Sequence, residues 1–487
     1  MTSGMEAPKE RIPGREYLFR LEDQHAFARW SGDCNPIHVD PIMARRTQPG
    51  ACVVHGIHQV LLALQTWFAG SPRHPDRRMP SQLTANFYLP LLLQQKVHVV
   101  VTSADDTSVV LEIRQGHASC TKVMYRFEPG TGRDFSPVTT LPPAASEAVD
   151  LDFAAIANQT GLCELILPES VSETFPDVVR ELGPGITAIL LGLSRIVGMH
   201  CPGLHSLFAF FSLTFDACPI HGPLIWKVTG KDARFSMVHL AVAAPGVQGR
   251  IRAFVRPTSA RLPAIAELPD AVDPNGYAGQ QVLVVGGSRG LGEITAKLVA
   301  RSGGAVVLTC HQGQNDAQRV VDDLRAWGAK AHWLSWDVRT SDDLSRPLRN
   351  IGFCPTHVFY FATPKIFNKQ GNKEFHPEML ALFCDYYVNG FLRLLQALGT
   401  NVQKPLRCFY PSTTALDTPV EELAEYAVAK AAGETLCRHV SSFMPDIKCF
   451  CSRIPRTETD QTTSMVKIPA LSPLTVMQPL VEQFRHY

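Results

Sequence analysis

Two short runs carry residue types that handle protons. Near the N-terminus the chain reads Ser31-Gly32-Asp33-Cys34-Asn35-Pro36-Ile37-His38, a carboxylate and an imidazole five residues apart. Near the C-terminus Tyr426 and Lys430 stand four apart in Glu425-Tyr426-Ala427-Val428-Ala429-Lys430. An Asp and a His that meet at one water suit the addition or removal of water across a carbon–carbon double bond, which needs two proton-handling groups. Asn35-Pro36 enforces a turn, so the two side chains can converge. A tyrosine and a lysine one helical turn apart share a face. A phenol near its free pKa of about 10 is a poor acid–base catalyst at neutral pH, and a neighbouring ammonium favours its ionised form. Alone, such a pair is more often two solvated residues on a helix than a site.

The tyrosine–lysine pair gains meaning from a run 140 residues before it, Val282-Leu283-Val284-Val285-Gly286-Gly287-Ser288-Arg289-Gly290-Leu291-Gly292. Its glycines lie between an apolar strand pattern and a helix pattern. There they let the backbone approach a pyrophosphate, while the helix N-terminus supplies N–H groups and a positive dipole. The spacing is Gly-x-x-x-Gly-x-Gly, not Gly-x-Gly-x-x-Gly.

Together with Tyr426-x-x-x-Lys430, this run resembles the short-chain dehydrogenase/reductase family over residues 278–465. The resemblance implies that Gly286, Ser288, Arg289, Gly290, Leu291 and Gly292 cradle a dinucleotide. Asp337 and Val338, in Trp336-Asp337-Val338, would lie at its adenine end. Asn389, Ser412, Tyr426 and Lys430 would form the catalytic tetrad, with Tyr426 and Lys430 also touching the cofactor. By the same resemblance Lys430 holds the nicotinamide ribose, Ser412 polarises the substrate oxygen and Asn389 supports a water relay. The family's Asn-Asn-Ala-Gly segment is replaced by Phe361-Ala362-Thr363-Pro364. The interval from Ser412 to Tyr426 is slightly long, which leaves Thr413 as an alternative hydroxyl. The segment after the last strand is short, so a reduced substrate lid is expected. A ribose-binding acid is expected at the end of the second strand for NAD, and the chain has Thr309-Cys310-His311-Gln312 there. Arg289 could pair with a 2′-phosphate, so NADPH is the expected cofactor.

The first run, extended to Phe27-Ala28-Arg29-Trp30 and followed by Val53-Val54-His55-Gly56, resembles the MaoC-like (R)-specific enoyl-thioester hydratases and dehydratases over residues 15–130. The resemblance implies a hotdog fold, a long helix wrapped by an antiparallel sheet. It gives Asp33 and His38 the catalytic roles. A thioester enolate needs an oxyanion donor, and by resemblance the N–H at Gly56 supplies it. His55 and His58 read as structural.

At 487 residues the chain exceeds one ordinary core. Gly130 to Val149 and Pro257 to Tyr277 are proline-containing and aperiodic, as linkers are, and divide it into segments of about 130, 110 and 210 residues. In the first, a helical run Gly56–Phe68 precedes strand patterns at 83–88, 96–102, 108–114 and 118–127. In the second, Ile186–Met199 precedes strand patterns at 207–211, 224–229, 235–243 and 249–255. One helix followed by alternating strands, twice, predicts a diverged repeat sharing one sheet. The second copy lacks an Asp-x-Asn-Pro-x-His run and is expected to complete the sheet and shape an acyl tunnel. The third segment alternates strand and helix, which implies a parallel sheet covered on both faces. The expected fold class is thus an α+β double hotdog half followed by an α/β Rossmann-type doubly wound domain. The expected domains are 1–135, 145–258 and 275–487.

A net charge of +1 without a basic block argues against nucleic-acid binding. The 13 cysteines show no zinc spacing, and no metal is expected. Met1 to Arg15 has no apolar signal core, and Ile186–Met199 is too short to span a bilayer. A cytoplasmic enzyme, a homo-oligomer with no membrane partner, is expected. The two chemistries share an intermediate. A 3-oxoacyl thioester of coenzyme A or acyl carrier protein, reduced with NADPH, gives a 3-hydroxyacyl thioester, and loss of water gives the enoyl thioester. The alternatives are the reverse, degradative order, and a reductase carrying a non-catalytic acyl-thioester-binding hotdog module.

Overall fold

A computed structural model of the chain describes residues 16–71, 78–129, 146–216, 218–258, 261–269, 273–340, 342–367, 374–398, 402–403, 405–464 and 468–487. It forms two compact units, Met1–Thr258 with Ser464–Val466, and Ser259–Thr463 with Lys467–Tyr487.

The first unit is built on one ten-stranded sheet. Its strands are β1 (Glu16–Leu18), β2 (Arg78–Phe87), β3 (Lys96–Ala104), β4 (Ser108–Gln115), β5 (Ala118–Pro129), β6 (Thr160–Cys163), β7 (Ser206–Phe215), β8 (Leu224–Asp232), β9 (Met237–Ala244) and β10 (Val247–Val255). The order is β1-β3-β4-β5-β2-β7-β10-β9-β8-β6. Residues 16–129 and 160–255 supply five neighbouring strands each, and the second half of the order reads as the mirror of the first. The halves join where β2 pairs antiparallel with β7, Thr84 opposite Ser212. Between β1 and β2 lie α1 (Leu21–Ser31) and α2 (Gly56–Gly70), and between β6 and β7 lies α3 (Pro184–Arg195). Helices that are apolar almost all round can only be stable inside. Ile57, Val60, Leu61 and Leu64 of α2, and Ile186, Ile189, Leu190 and Leu193 of α3, are accordingly buried in one core with the inward strand residues. The helical run expected to reach Met199 changes at its end to a π-turn, Ile196–His200. Much of the first expected linker, residues 130–145, lies outside the described residues.

In the second unit the strands are β11 (Gln281–Val285), β12 (Ala305–Cys310), β13 (Ala331–Ser335), β14 (His357–Tyr360), β15 (Leu406–Thr413) and β16 (Ile447–Ile454), all parallel in the order β13-β12-β11-β14-β15-β16. Successive strand residues feed opposite cores. Val282 and Val284 pack with α4 (Gly290–Arg301) and α5 (Gln314–Ala326). Leu283 and Val285 pack with the other helical layer, which includes α6 (Ala424–Phe443). Two layers of helices thus cover both faces, as a parallel sheet requires. The second expected linker is a correction: Ile265, Leu268 and Tyr277 are buried in this unit's core, and the Tyr277 hydroxyl donates to the Val481 carbonyl at 2.8 Å. No single helix among the described residues is long and apolar enough to cross a membrane.

Candidate active sites

In the first unit, α1 stops at Gly32, whose φ of 75° is the left-handed conformation that closes a helix. The chain then turns Asp33 inward, 3% exposed. Asn35 caps the one-turn helix Pro36–Val39, its side-chain oxygen accepting from the Ile37 N–H at 3.2 Å. Its amide group donates to the carbonyls of Gly198 at 2.9 Å and Gly203 at 3.1 Å, which ties the loop to the second repeat. The Asp33 carboxylate accepts the Ser194 hydroxyl at 2.7 Å and the Asn35 N–H at 3.3 Å. Gly198 lies against it so closely that any Cβ there would overlap the carboxylate. The segment 145–258, expected only to complete the sheet and shape a tunnel, therefore also supplies the donor on the acid.

His38 comes to the same place. Its Nδ1 meets the Val53 carbonyl at 2.8 Å, an oxygen that can only accept, so the proton belongs on Nδ1 and Nε2 keeps its lone pair. Polar atoms of Asp33, His38 and His55 lie within 4.8 Å of one another. The His38 and His55 rings stack at 3.8 Å. Both nitrogens of His55 are engaged, Nε2 with the Asp33 carbonyl at 3.0 Å and Nδ1 with Gln24 Oε1 at 2.9 Å. His55 thus braces the acid loop. His58 stacks on Phe27 at 5.0 Å.

Burial pushes the Asp33 carboxyl up to about 6, against the opposing pull of Ser194, the Asn35 N–H and Arg195. Desolvation pushes His38 down to about 4, although part of its surface stays open. An acid drawn toward its protonated form beside an imidazole held neutral is a matched acid and base. Gly56 opens α2, where a backbone N–H has no acceptor within the helix. A Cβ at Gly56 would come 2.9 Å from the Phe87 ring, so glycine permits that contact.

In the second unit the glycine turn leads from β11 into α4. Gly286 and Gly290 have φ of 77° and 57°. A Cβ on Gly286 would press on the Phe361–Ala362 peptide, and one on Gly292 would overlap the Gly286 carbonyl. A twelve-residue helix thus begins at a turn stripped of side-chain bulk, which fits a pyrophosphate. Ser288 is buried and Leu291 packs beside the core. The Arg289 guanidinium contacts Asp460 at 3.2 Å. Asp337 is gripped by Arg339 at 2.7 and 3.0 Å, with His311 at 3.5 Å. Val338 is buried against Gly390.

Tyr426 and Lys430 do share one face of α6. Lys430, 6% exposed, donates to the Pro411 carbonyl at 2.6 Å, and its Nζ lies 4.0, 5.1 and 5.8 Å from the Tyr387, Tyr410 and Tyr426 rings. Two expected members of the tetrad have other surroundings. Ser412 donates its proton to Glu434 at 2.6 Å, and Glu434 is paired with Arg453 at 2.8 Å, so the serine belongs to an ion-pair network. The hydroxyl that pulls the Tyr426 phenol down, against its burial, is that of Thr413, whose oxygen also accepts the Ala415 N–H at 3.2 Å. Asn389 is exposed at the end of a π-turn, Asp385–Asn389, and Tyr387 of the same turn faces Tyr426 and Lys430 instead. The wider turn carries one extra residue and so rotates which side chain points inward. Gly390 was the available signal: a mid-helix glycine that the Tyr360 hydroxyl approaches closely marks the side that packs on the sheet.

The expected lysine effect on the tyrosine also differs. Burial holds the Tyr426 phenol up, to about 12, and lowers Lys430 to about 7. Lys430 is itself stripped of water and directed at Pro411 and Tyr387, so it does little to ionise the phenol.

Comparison with known proteins finds a family match in each unit. Residues 7–119 match the MaoC like domain, and residues 280–352 match the short chain dehydrogenase family. The chain joins a MaoC-like domain to a short-chain dehydrogenase domain. Among curated proteins, the L-rhamnose 1-dehydrogenase (NADP(+)) of Thermoplasma acidophilum is 22% identical over 157 residues, 28% of this chain and 62% of that protein. A hydroxynaphthalene reductase-like protein Arp2 of Metarhizium guizhouense is 33% identical over 73 residues, 15% of this chain and 27% of that one. The match therefore spans less than two thirds of either relative. Among solved structures, a short-chain dehydrogenase of Escherichia coli CFT073 complexed with NADPH shares 19% identity at a TM-score of 0.38, covering 44% of this chain and 92% of that one. One from Burkholderia cenocepacia J2315 in complex with NADP shares 22% at 0.35, covering 38% and 78%.

Proposed function

We propose that the chain is a bifunctional enzyme, an NADPH-dependent 3-oxoacyl-thioester reductase and a 3-hydroxyacyl-thioester dehydratase. It acts in that order on a coenzyme A or acyl carrier protein thioester in a biosynthetic pathway. The observation that carries the reading is that each unit holds its own proton-handling pair, Asp33 with His38 in one and Tyr426 with Lys430 in the other.

In the dehydration, the His38 Nε2 lone pair removes the proton from C2 of the 3-hydroxyacyl thioester. The thioester oxygen takes up the charge and accepts the Gly56 N–H. Asp33, as the carboxylic acid, gives its proton to the hydroxyl at C3. The C3–O bond breaks, the double bond forms and water leaves, with His38 protonated and Asp33 ionised until solvent exchange resets both.

For the reduction, the glycine turn at Gly286, Gly290 and Gly292 takes the pyrophosphate, and Asp337 and Val338 border the adenine. NADPH, when bound, supplies the hydride. Tyr426 donates its phenolic proton to the carbonyl oxygen, which Thr413 orients. A phenol held at about 12 is protonated at neutral pH, so it carries the proton that the reduction consumes. The preference for a 2′-phosphate rests on Arg289, on the absence of an acid in Cys310-His311-Gln312, and on the NADP(+) in the name of the Thermoplasma relative.

The mirrored sheet order supports a double hotdog made of segments 1–135 and 145–258, followed by a reductase segment 275–487. A homo-oligomer in the cytoplasm completes the proposal. Purified protein given acetoacetyl thioester with NADPH, and separately crotonyl thioester, tests it. NADPH oxidation and hydration, abolished respectively by Tyr426→Phe and Asp33→Asn, are expected. Neither reaction from the wild type would overturn the reading.

A further inference from the structure

Lys430 is a buried cation with few partners of opposite charge. Its Nζ donates to the Pro411 carbonyl, and its shortest remaining polar or π contact in the structure is the face of Tyr387 at 4.0 Å. The groups facing it are Tyr387 from the π-turn, Tyr410 from β15, Tyr426 and Cys437 from α6, and Cys451 from β16. Tyr387 is held from both ends. Its hydroxyl shares a 2.6 Å hydrogen bond with Thr363, and its carbonyl accepts the Tyr410 hydroxyl at 2.9 Å. Thr363 belongs to the Phe361-Ala362-Thr363-Pro364 segment, where the sequence departs from the short-chain dehydrogenase pattern. Two departures, one after β14 and one in the π-turn, thus meet in a single hydrogen bond.

We propose that Tyr387 is a positioning residue of the reductase site: its ring face holds the Lys430 ammonium beside Tyr426. An ammonium over an electron-rich ring is attracted by the ring's quadrupole, most strongly where water is excluded. Without that ring, a lysine already drawn down to about 7 by burial would lose its charge at still lower pH. This inference rests on the reductase reading given above.

The test uses the full chain with [15Nζ]lysine, the Lys430 resonance being assigned by its loss in Lys430→Met. Tyr387→Phe keeps the ring face, and replacement of Tyr387 by pentafluorophenylalanine keeps the shape but withdraws the ring's negative face. The Lys430 midpoint is expected to stay put in Tyr387→Phe and to fall by about one pH unit in the fluorinated variant. The same shift should appear in the pH profile of NADPH oxidation. Equal midpoints in the two variants would overturn the proposal, as would a shift in Tyr387→Phe as large as that in the fluorinated protein. The midpoint is read without substrate. A shifted midpoint in a protein that never oxidises NADPH would therefore sink the reductase reading and leave the positioning role standing.

Discussion

Ser194 donates its hydroxyl to the Asp33 carboxylate at 2.7 Å across 161 residues of sequence, so the acid of the first repeat is tuned by the second. Removing that donor leaves the ionised carboxylate less stabilised, and the Asp33 pKa should rise above its value of about 6. As the general acid, Asp33 works while protonated, so the dehydratase rate should fall above that pKa. Ser194→Ala should move this alkaline limb up by about one pH unit, since a hydrogen bond to a charged group is worth about 1.5–3 kcal/mol. A pH–rate profile with 3-hydroxybutyryl thioester measures it, and an unmoved limb would deny Ser194 this role.

The same buried acid has a cost in stability. Its folded pKa is raised from 3.8 to about 6, so the folded state prefers the proton. The stabilisation is full below about pH 4 and is lost as pH rises through 6. Asp33→Asn lacks this loss and keeps an acceptor for Ser194. At pH 7.5 the variant should be more stable than wild type by up to about 3 kcal/mol, a shift in Tm of several degrees. The gap should close by pH 4. Thermal melts at the two pH values would contradict this if the variant melted lower at 7.5.

Thr413 and Ser412 are neighbours in different surroundings: Thr413 pulls down the pKa of the Tyr426 phenol, and Ser412 donates to Glu434. Thr413→Ala should lower reductase kcat by about a hundredfold or more, the scale of a lost oriented donor. Ser412→Ala should leave kcat within a few-fold and lower Tm instead. Steady-state NADPH oxidation by the two variants decides between them, and the reverse ranking would restore the serine.

Arg289 spends its charge on Asp460 at 3.2 Å. If it also receives the 2′-phosphate, Arg289→Ala should raise KM for NADPH by tenfold or more, on the order of a charge-assisted hydrogen bond, and barely alter KM for NADH. Asp460→Asn should lower KM for NADPH. Parallel changes with both cofactors would remove Arg289 from recognition.

Much of this was legible because the physics was local. The glycine turn stands between a run of apolar strand residues and a helix, and the two buried helices betray themselves by being apolar on all sides. Asp33 and His38 are joined by a turn that their own intervening residues enforce. Ser194 was not legible, because it meets Asp33 only through packing of one repeat on the other. Tyr387 was hidden by a π-turn, which shifts the inward side chain away from Asn389. Ile265, Leu268 and Tyr277 looked like linker because isolated apolar residues among prolines show no periodicity, yet the second unit buries them.

The central claim, two successive reactions in one chain, is tested most directly by product analysis. Wild type and Asp33→Asn would each be given a short 3-oxoacyl thioester with NADPH, with products followed by mass spectrometry. The account predicts enoyl thioester from the wild type and accumulated 3-hydroxyacyl thioester from the variant. Hydroxyacyl product alone from both would contradict it and leave the MaoC-like half as a binder or as an enzyme for another substrate.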